Sequence, residues 1–437
     1  GPGGLSAGYF LAVEGHQADI FESAPKPGGW LRYGIPEYRL PNDILDREVK
    51  NITDLGVQIF YNKRLGGDLS YAELKNRYDA MILTIGSQKG TGVGCEGDDA
   101  ASVFSGIDFL KNMEITGQKH DFRGKTVAVV GGGNTAMDCC RTAIRCRADK
   151  VYVIYRRTEK EMPANPIEIH ESKLEGVEYL FLTLPKKINK NEEGVVQSVT
   201  CLRMELGEPD ASGRRRPIPV EGSDFDLKVD YILAAIGQKT EAGFLDDINR
   251  HAPEGELQLN KWGNIDADPA ILQTGISSIF AAGDGVTGPA TIIEAIAQAK
   301  IAARSAHQFL TGLPVHSVEK PFTSRKDNFT VQNKEDYQGR FESYLRNEMP
   351  TLPPSGRINF REVELGYPGA ETAAGETRRC LECGCTSFFN CDLQKYSTQY
   401  QASQKSFSGE FISRPVDFRH PYIEIDNNKC ILCARCV

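Results

Sequence analysis

Residues 126–157 read TVAVVGGGNTAMDCCRTAIRCRADKVYVIYRR. The β-branched and small apolar run at 126–130 has the pattern of a buried parallel strand. Gly131, Gly133 and Ala136 follow it at the G-x-G-x-x-A spacing. The first glycine permits a tight turn, the second lets backbone approach a pyrophosphate, and the small third residue lets helix pack close to strand. The helix beginning there offers free N–H groups and its positive dipole end to an anion. A second strand is predicted over 151–155. It ends in Arg156 and Arg157, where an NAD-preferring site more often places an acid on the ribose hydroxyl. A guanidinium fork matches phosphate geometry, so the pair suits a 2′-phosphate, and the unit reads as an NADP(H) site.

Outward from this unit, the stretch GPGGLSAG at 1–8 has the look of a second dinucleotide site without its first strand and first glycine. Gly1 and Gly4 take the places of the second and third glycines. The strand expected over 18–21 ends at Glu22, placed to accept hydrogen bonds from a ribose diol. An acid there repels a 2′-phosphate, which favours FAD. The loop PGGWLRYGIP at 27–36 is too long for a simple turn. Its expected place is along the flavin, with backbone amides and Arg32 facing polar atoms; Arg39 is either a similar contact or a surface charge. Helices are predicted over 43–55, 69–76 and 103–113, and strands over 57–61 and 80–85. Residues 177–232 read as an antiparallel meander, with Arg214, Arg215 and Arg216 in a solvated loop rather than a ligand site. The glycine after the strand at 231–236 echoes the one at Gly86, which suggests two related folds, one inserted in the other. The strand at 278–282 ends in Gly283 and Asp284, at the strand end where ligands of open α/β sheets lie; Asp284 suits the ribityl chain of FAD. From Thr291 a long helix to about residue 310 points its positive end at the flavin, with Glu294 as a first-turn acid.

A chain of 437 residues has room for two or three domains, and its formal charge of −8 argues against a general nucleic-acid binder. No apolar run is long enough to cross a bilayer. Of twelve cysteines, Cys95, Cys139, Cys140, Cys146 and Cys201 are scattered, as in proteins of a reducing, cytoplasmic compartment, and seven lie from Cys380 onward. Both ends of the sequence look cut.

GGWLRYGIPEYRLP, AVVGGGNTAMDCCR, VYVIYRRTEKEMPA and IFAAGDGVTGPATIIEAIAQAK, in that order, resemble the small subunit of NADPH-dependent glutamate synthase and related FAD- and NADPH-binding electron-transfer subunits. The resemblance implies an α/β fold of two nested Rossmann-like domains: an FAD domain over 1–115 and 270–313, and an NAD(P)H domain over 116–269. A linker over 314–377 and an iron–sulfur segment over 378–437 would follow. The resemblance places FAD contacts on Gly1, Gly4, Glu22, Gly29, Leu31, Arg32, Gly283, Asp284 and Thr291. It places NADPH contacts on Gly131, Gly133, Asn134, Thr135, Arg156 and Arg157. Thioredoxin reductases share the plan but need a C-x-x-C disulfide at the flavin. Cys139 and Cys140 are adjacent on a helix and read as structural, which argues against disulfide reduction.

Cys380, Cys383, Cys385 and Cys391 form a C-x-x-C-x-C…C set able to surround a [4Fe–4S] cluster or one zinc ion. The tight C-x-C and the flavin's need for a one-electron carrier favour the cluster. Cys430, Cys433 and Cys436 begin a ferredoxin-like run without its fourth cysteine, and residues 390–436 resemble the cluster-bearing segment of the large iron–sulfur subunit of complex I and of NAD-linked formate dehydrogenases. The expected activity is therefore NADPH oxidation at FAD, with single electrons passed to iron–sulfur centres and a partner subunit, or the reverse. No side chain is needed as acid or base. The alternatives are a non-catalytic relay, and a glutamate synthase small subunit feeding a glutamine-dependent partner.

Overall fold

The apolar run at 126–130 forms the strand it predicts, Thr126–Val130, with Val127, Ala128 and Val129 wholly buried. In this computed structural model, residues 1–210, 213–317, 321–322, 343–380 and 390–402 are described. The strand lies at the centre of a five-stranded, all-parallel sheet ordered Val103–Ser105, Tyr231–Ala234, Thr126–Val130, Lys150–Ile154, Glu178–Leu180. Successive residues of a strand face opposite ways. Val127 and Val129 accordingly meet the helices Gly106–Thr116, Asn134–Arg145 and Pro166–Leu174. Ala128 and Val130 meet an antiparallel meander of Thr183–Lys190, Val196–Pro209, Arg215–Pro219 and Phe225–Lys228 through Ile188, Val196, Val199 and Cys201. Residues 103–105, expected to open a helix, form an edge strand instead. Ser105 accepts the Asp108 N–H, and that cap starts the helix only after it.

The surrounding lobe begins with the helix Pro2–Val13. Asp19–Phe21 pairs in parallel with Gln58–Phe60, and Met81–Leu83 with Ile279–Ala281. The helix Ile292–Leu310 buries Ala295, Ala299, Ala302, Ala303 and Ala306, small residues that bring it close to Phe280 and Leu11. The chain passes between lobes at two places that lie side by side, Lys89–Gly90 pairing antiparallel with Gln238–Lys239. The inner lobe thus starts and ends earlier than the expected 116–269. The helix Leu245–His251 and residues up to Ile276 complete the outer lobe's core with Tyr71 and Leu83.

Residues 346–377, expected as linker, pack with the two lobes in one unit. Val363 is buried and donates its N–H to the Tyr38 carbonyl at 3.1 Å. Arg357, 2% exposed, pairs with Glu171 and, at 3.4 Å, with Glu175. This strap covers a buried ionic joint between the lobes. Arg39 of the outer lobe binds Asp138 at 2.7 Å and Glu168 at 2.9 Å, while Arg141 reaches Glu168 at 2.5 Å and Glu175 at 2.7 Å. Arg145 holds Glu175 at 2.6 Å and lies 3.6 Å from the Tyr38 ring centroid. Residues 378–380 and 390–402 belong to a second unit, which contains the helix Asp392–Gln399. Among the described residues no helix is long and apolar enough to cross a membrane.

Candidate functional site

Gly131 has φ +145°, and a Cβ there would stand 2.2 Å from the Ala235 carbonyl, so only glycine makes this turn against the neighbouring strand. Gly133 differs: a Cβ there would meet nothing within 4 Å, because the backbone faces open space. Ala136 is wholly buried, as close helix–strand packing requires. The outer lobe repeats the device. Gly29, at φ +54°, would put a Cβ 2.6 Å from the Gly1 Cα, so the two glycines lie back to back. A Cβ on Gly4 would fall 2.9 Å from Thr84 Oγ1, which makes Gly4 the close-packing glycine of this turn.

The helices after these turns, Pro2–Val13 and Asn134–Arg145, carry no side-chain N-cap. By contrast, Ser70, Ser105, Asn165 and Thr291 cap theirs. The first-turn N–H groups of the two glycine-turn helices therefore remain available to an anion, where the helix dipole also favours negative charge.

Both turns open into one cavity of about 1560 Å³. Its wall includes Gly1, Gly4, Glu22, Gly29, Leu31, Gly283, Asp284 and Thr291 from the outer lobe, and Gly131, Gly133, Asn134, Thr135, Arg156 and Arg157 from the inner one. Single drug-sized ligands occupy roughly 300–1,000 Å³; this space suits two dinucleotides. Glu22 accepts the Ala24 N–H at 2.9 Å and lies 3.5 Å from the Gly1 nitrogen, at the mouth of the glycine turn. Burial raises the Asp284 carboxyl above its usual range, and its Oδ1 accepts the Ala290 N–H at 3.3 Å. Glu294 closes a capping box with Thr291, matching the first-turn role expected for it.

Three residues stand differently from expectation. Arg32 is absent from the cavity wall: its buried guanidinium donates to the Pro27 carbonyl at 2.7 Å, to Asn42 at 3.0 Å and to Asp46. It holds the glycine loop from behind. Arg39 is neither a simple surface charge nor a free contact, since Asp138 and Glu168 occupy it. Arg157 lines the cavity, yet its Nη2 binds Asp210 at 2.8 Å and its Nε the Arg215 carbonyl at 2.7 Å. Arg156 is exposed on the same wall, without an ion-pair partner among the described residues.

Sequence reasoning missed Trp30, whose Nε1 donates to the Ser87 carbonyl at 3.1 Å and pins the loop across the cavity, and Arg214, which lines it. Only the arginine triplet itself signalled the latter. Cys139 and Cys140 lie in the inner core, bonded to the carbonyls of Gly106 and Met137, and burial pushes both thiols well above their ordinary range. Of the expected metal ligands, Cys380 is exposed and Cys391 accepts the Gln394 N–H at 3.5 Å. Cys383, Cys385, Cys430, Cys433 and Cys436 lie outside the described residues. Among those described, no group of three or more His, Cys, Asp or Glu could hold a metal ion.

The profile of the family described as pyridine nucleotide-disulphide oxidoreductase matches residues 1–299. The beta subunit of NADP(+)-dependent formate dehydrogenase from Moorella thermoacetica is 41% identical, over 88% of this chain and 53% of its own length. The beta subunit of NADPH-Fe(3+) oxidoreductase from Geobacter sulfurreducens is 36% identical, over 88% of this chain and 60% of its own. The chain thus spans between half and two thirds of these curated relatives. A putative glutamate synthase [NADPH] small chain from Cereibacter sphaeroides is 33% identical, over 73% of this chain and 77% of its own. Among solved structures, Mycobacterium tuberculosis FprA in complex with NADPH superimposes with a TM-score of 0.58 at 18% identity, over 71% of this chain and 83% of that one, which shows the shared fold.

Proposed function

For a chain that belongs to the pyridine nucleotide-disulphide oxidoreductase family and is related to glutamate synthase small chains, we propose the role of an FAD-dependent NADPH oxidoreductase subunit in a larger redox complex. The observation that carries this reading is the single cavity reached by two uncapped glycine-turn helices, one beside an acid and one beside an arginine. Gly1, Gly4 and Gly29 form a cradle that a Cβ would fill, and Glu22 beside it suits an unphosphorylated ribose. These residues fit the ADP half of FAD, and Leu31, Gly283, Asp284 and Thr291 would line its flavin half. On the inner side, Gly131, Gly133, Asn134 and Thr135 suit a pyrophosphate and Arg156 a 2′-phosphate.

Bound FAD would supply the conversion chemistry, taking two electrons as hydride from NADPH and releasing them singly. The chain's own part is placement: the strap and the ionic joint hold the two clasps in one orientation. Cys139 and Cys140, immersed in the inner core, are unsuited to receive electrons. The outlet we propose is a [4Fe–4S] cluster on Cys380, Cys383, Cys385 and Cys391, with Cys430, Cys433 and Cys436 as ligands of a second centre. Support comes from the two beta-subunit relatives, whose similarity covers more of this chain than that of the glutamate synthase chains. The partners are then subunits of a redox complex, in the cytoplasm.

Rapid anaerobic mixing with NADPH tests the reading. Bleaching of flavin absorbance before any cluster absorbance changes is expected; a non-catalytic relay would show no direct flavin reduction. Cys383→Ser with Cys385→Ser should remove iron and labile sulfide, and stoichiometric zinc in the unmodified protein would end the cluster assignment.

A further inference from the structure

Resting on the FAD reading of the outer lobe, we infer that Ser87 is a positioning residue for the flavin site: from behind the cavity wall it ties the Trp30 loop to the strand end that carries Asp284. Ser87 is wholly buried and absent from that wall, whereas Gly86, Gln88, Trp30 and Asp284 are all part of it. Its carbonyl accepts the Trp30 Nε1–H at 3.1 Å, and its Oγ donates to the Asp284 carbonyl at 3.1 Å. One residue thus fastens two segments that lie 57 and 197 positions away along the chain. Trp30 opens the short helix Trp30–Tyr33, and a Cβ on Gly34 would stand 2.6 Å from its indole. The place of the indole therefore fixes the course of the loop around it.

On the other side, the Asp284 carbonyl also accepts the Gly288 N–H at 2.9 Å, and its carboxylate the Ala290 N–H at 3.3 Å. The run that leads to Thr291 is folded about this one residue, so holding its carbonyl holds the run. The segments are tightly packed, since a Cβ on Gly285 would lie 3.0 Å from the Ile85 side chain. A serine hydroxyl has one proton to give, and Ser87 gives it to Asp284. Thr240 Oγ1, 3.4 Å away, gives its own to Asn264 at 3.0 Å. Ser87 stands just before Lys89–Gly90 and Thr240 just after Gln238–Lys239, the paired segments by which the chain passes between lobes. The hub thus lies where the lobes join, and one buried hydroxyl there keeps two walls of the flavin site at a set spacing.

Titration of the full chain with FAD tests this without turnover. Ser87→Ala removes one oxygen and leaves the Asp284 carbonyl its Gly288 N–H, so the variant should fold. FAD affinity is expected to fall about threefold to tenfold, while 2′,5′-ADP binding at the inner lobe stays within about twofold. Trp262 is 73% exposed and outside the cavity wall, so Trp262→Phe leaves Trp30 as the one tryptophan. In that background Ser87→Ala should move the Trp30 emission to longer wavelength before FAD is added, a change that a loss confined to Asp284 would not produce. In a Trp30→Phe chain, Ser87→Ala should cost less FAD affinity than in wild type, because the wall it holds is already loose. Wild-type FAD affinity and Trp30 emission in Ser87→Ala would overturn the assignment. So would fully additive losses in the double variant, or equal weakening of FAD and 2′,5′-ADP, which marks general loosening. A wild-type chain that takes up no FAD would overturn the FAD reading itself, a result distinct from these.

Discussion

Replacing Arg357 by methionine should loosen the strap and weaken the joint between the lobes. The joint sets four guanidiniums, those of Arg39, Arg141, Arg145 and Arg357, against four carboxylates, those of Asp138, Glu168, Glu171 and Glu175. Arg357 directs its donors to Glu171, Glu175, the Leu352 carbonyl and the Thr351 hydroxyl. Without it one buried carboxylate charge is uncompensated, and breaking a buried pair in this way costs roughly 3–5 kcal/mol. The Glu171 side chain keeps 15% exposure and Glu175 keeps two arginines, so the low end, about 3 kcal/mol, is expected. At roughly 2–4 °C per kcal/mol for large domains, the unfolding midpoint should fall by roughly 6–12 °C. Scanning calorimetry reads the midpoint, and limited proteolysis should cut the strap between residues 346 and 366 sooner in the variant. Adding Glu171→Gln should return part of the loss, since the surplus charge is then gone. A midpoint within about 1 °C of wild type and an unchanged cleavage pattern would refute the claim that this segment clamps the lobes.

The two inner-lobe glycines should separate folding from binding. Gly131→Ala drives a Cβ into the Ala235 carbonyl and should lower the unfolding midpoint, whereas Gly133→Ala should leave it unchanged and cut NADPH affinity at least about tenfold. Asp138, whose carboxyl burial pushes up to about 6, gives a pH signature. A carboxyl raised in the folded state contributes stability below its unfolded pKa and loses it as pH rises through the folded one. The stability of wild type relative to Asp138→Asn should therefore fall from about pH 4 to about pH 6 and level off above; a flat difference across that window would contradict the assignment. Cys139 and Cys140 should resist alkylation by iodoacetamide in the native protein and react on unfolding, as mass spectrometry would show.

The glycine turns were legible in the sequence because their meaning is local. A residue that must adopt positive φ or admit a close neighbour is glycine, and the strand before it is apolar whatever the rest of the chain does. Cys139 and Cys140 read as structural because adjacent positions on a helix point in different directions, and both are buried. What was illegible depends on distant partners. Arg157 read as a phosphate ligand until Asp210, far along the chain, claimed it. Arg39 had no visible partner because Asp138 and Glu168 belong to the other lobe. Arg32 faces Asp46 through a bend of the loop that spacing does not encode. The strap read as linker because its anchors, Arg357 and Val363, are isolated in a polar stretch and carry no periodic pattern. The edge strand Val103–Ser105 is hidden because its three residues run straight into the helix that Ser105 caps.

Two nested clasps that share one cavity would bring FAD and NADPH together in it. Anaerobic titration of the FAD-loaded chain with NADPH, followed by the flavin absorbance near 450 nm, tests it most directly. About one FAD per chain is expected, bleached by NADPH at far lower concentrations than by NADH. A chain that retains no FAD after loading, or whose bound flavin stays oxidised in excess NADPH, would contradict it.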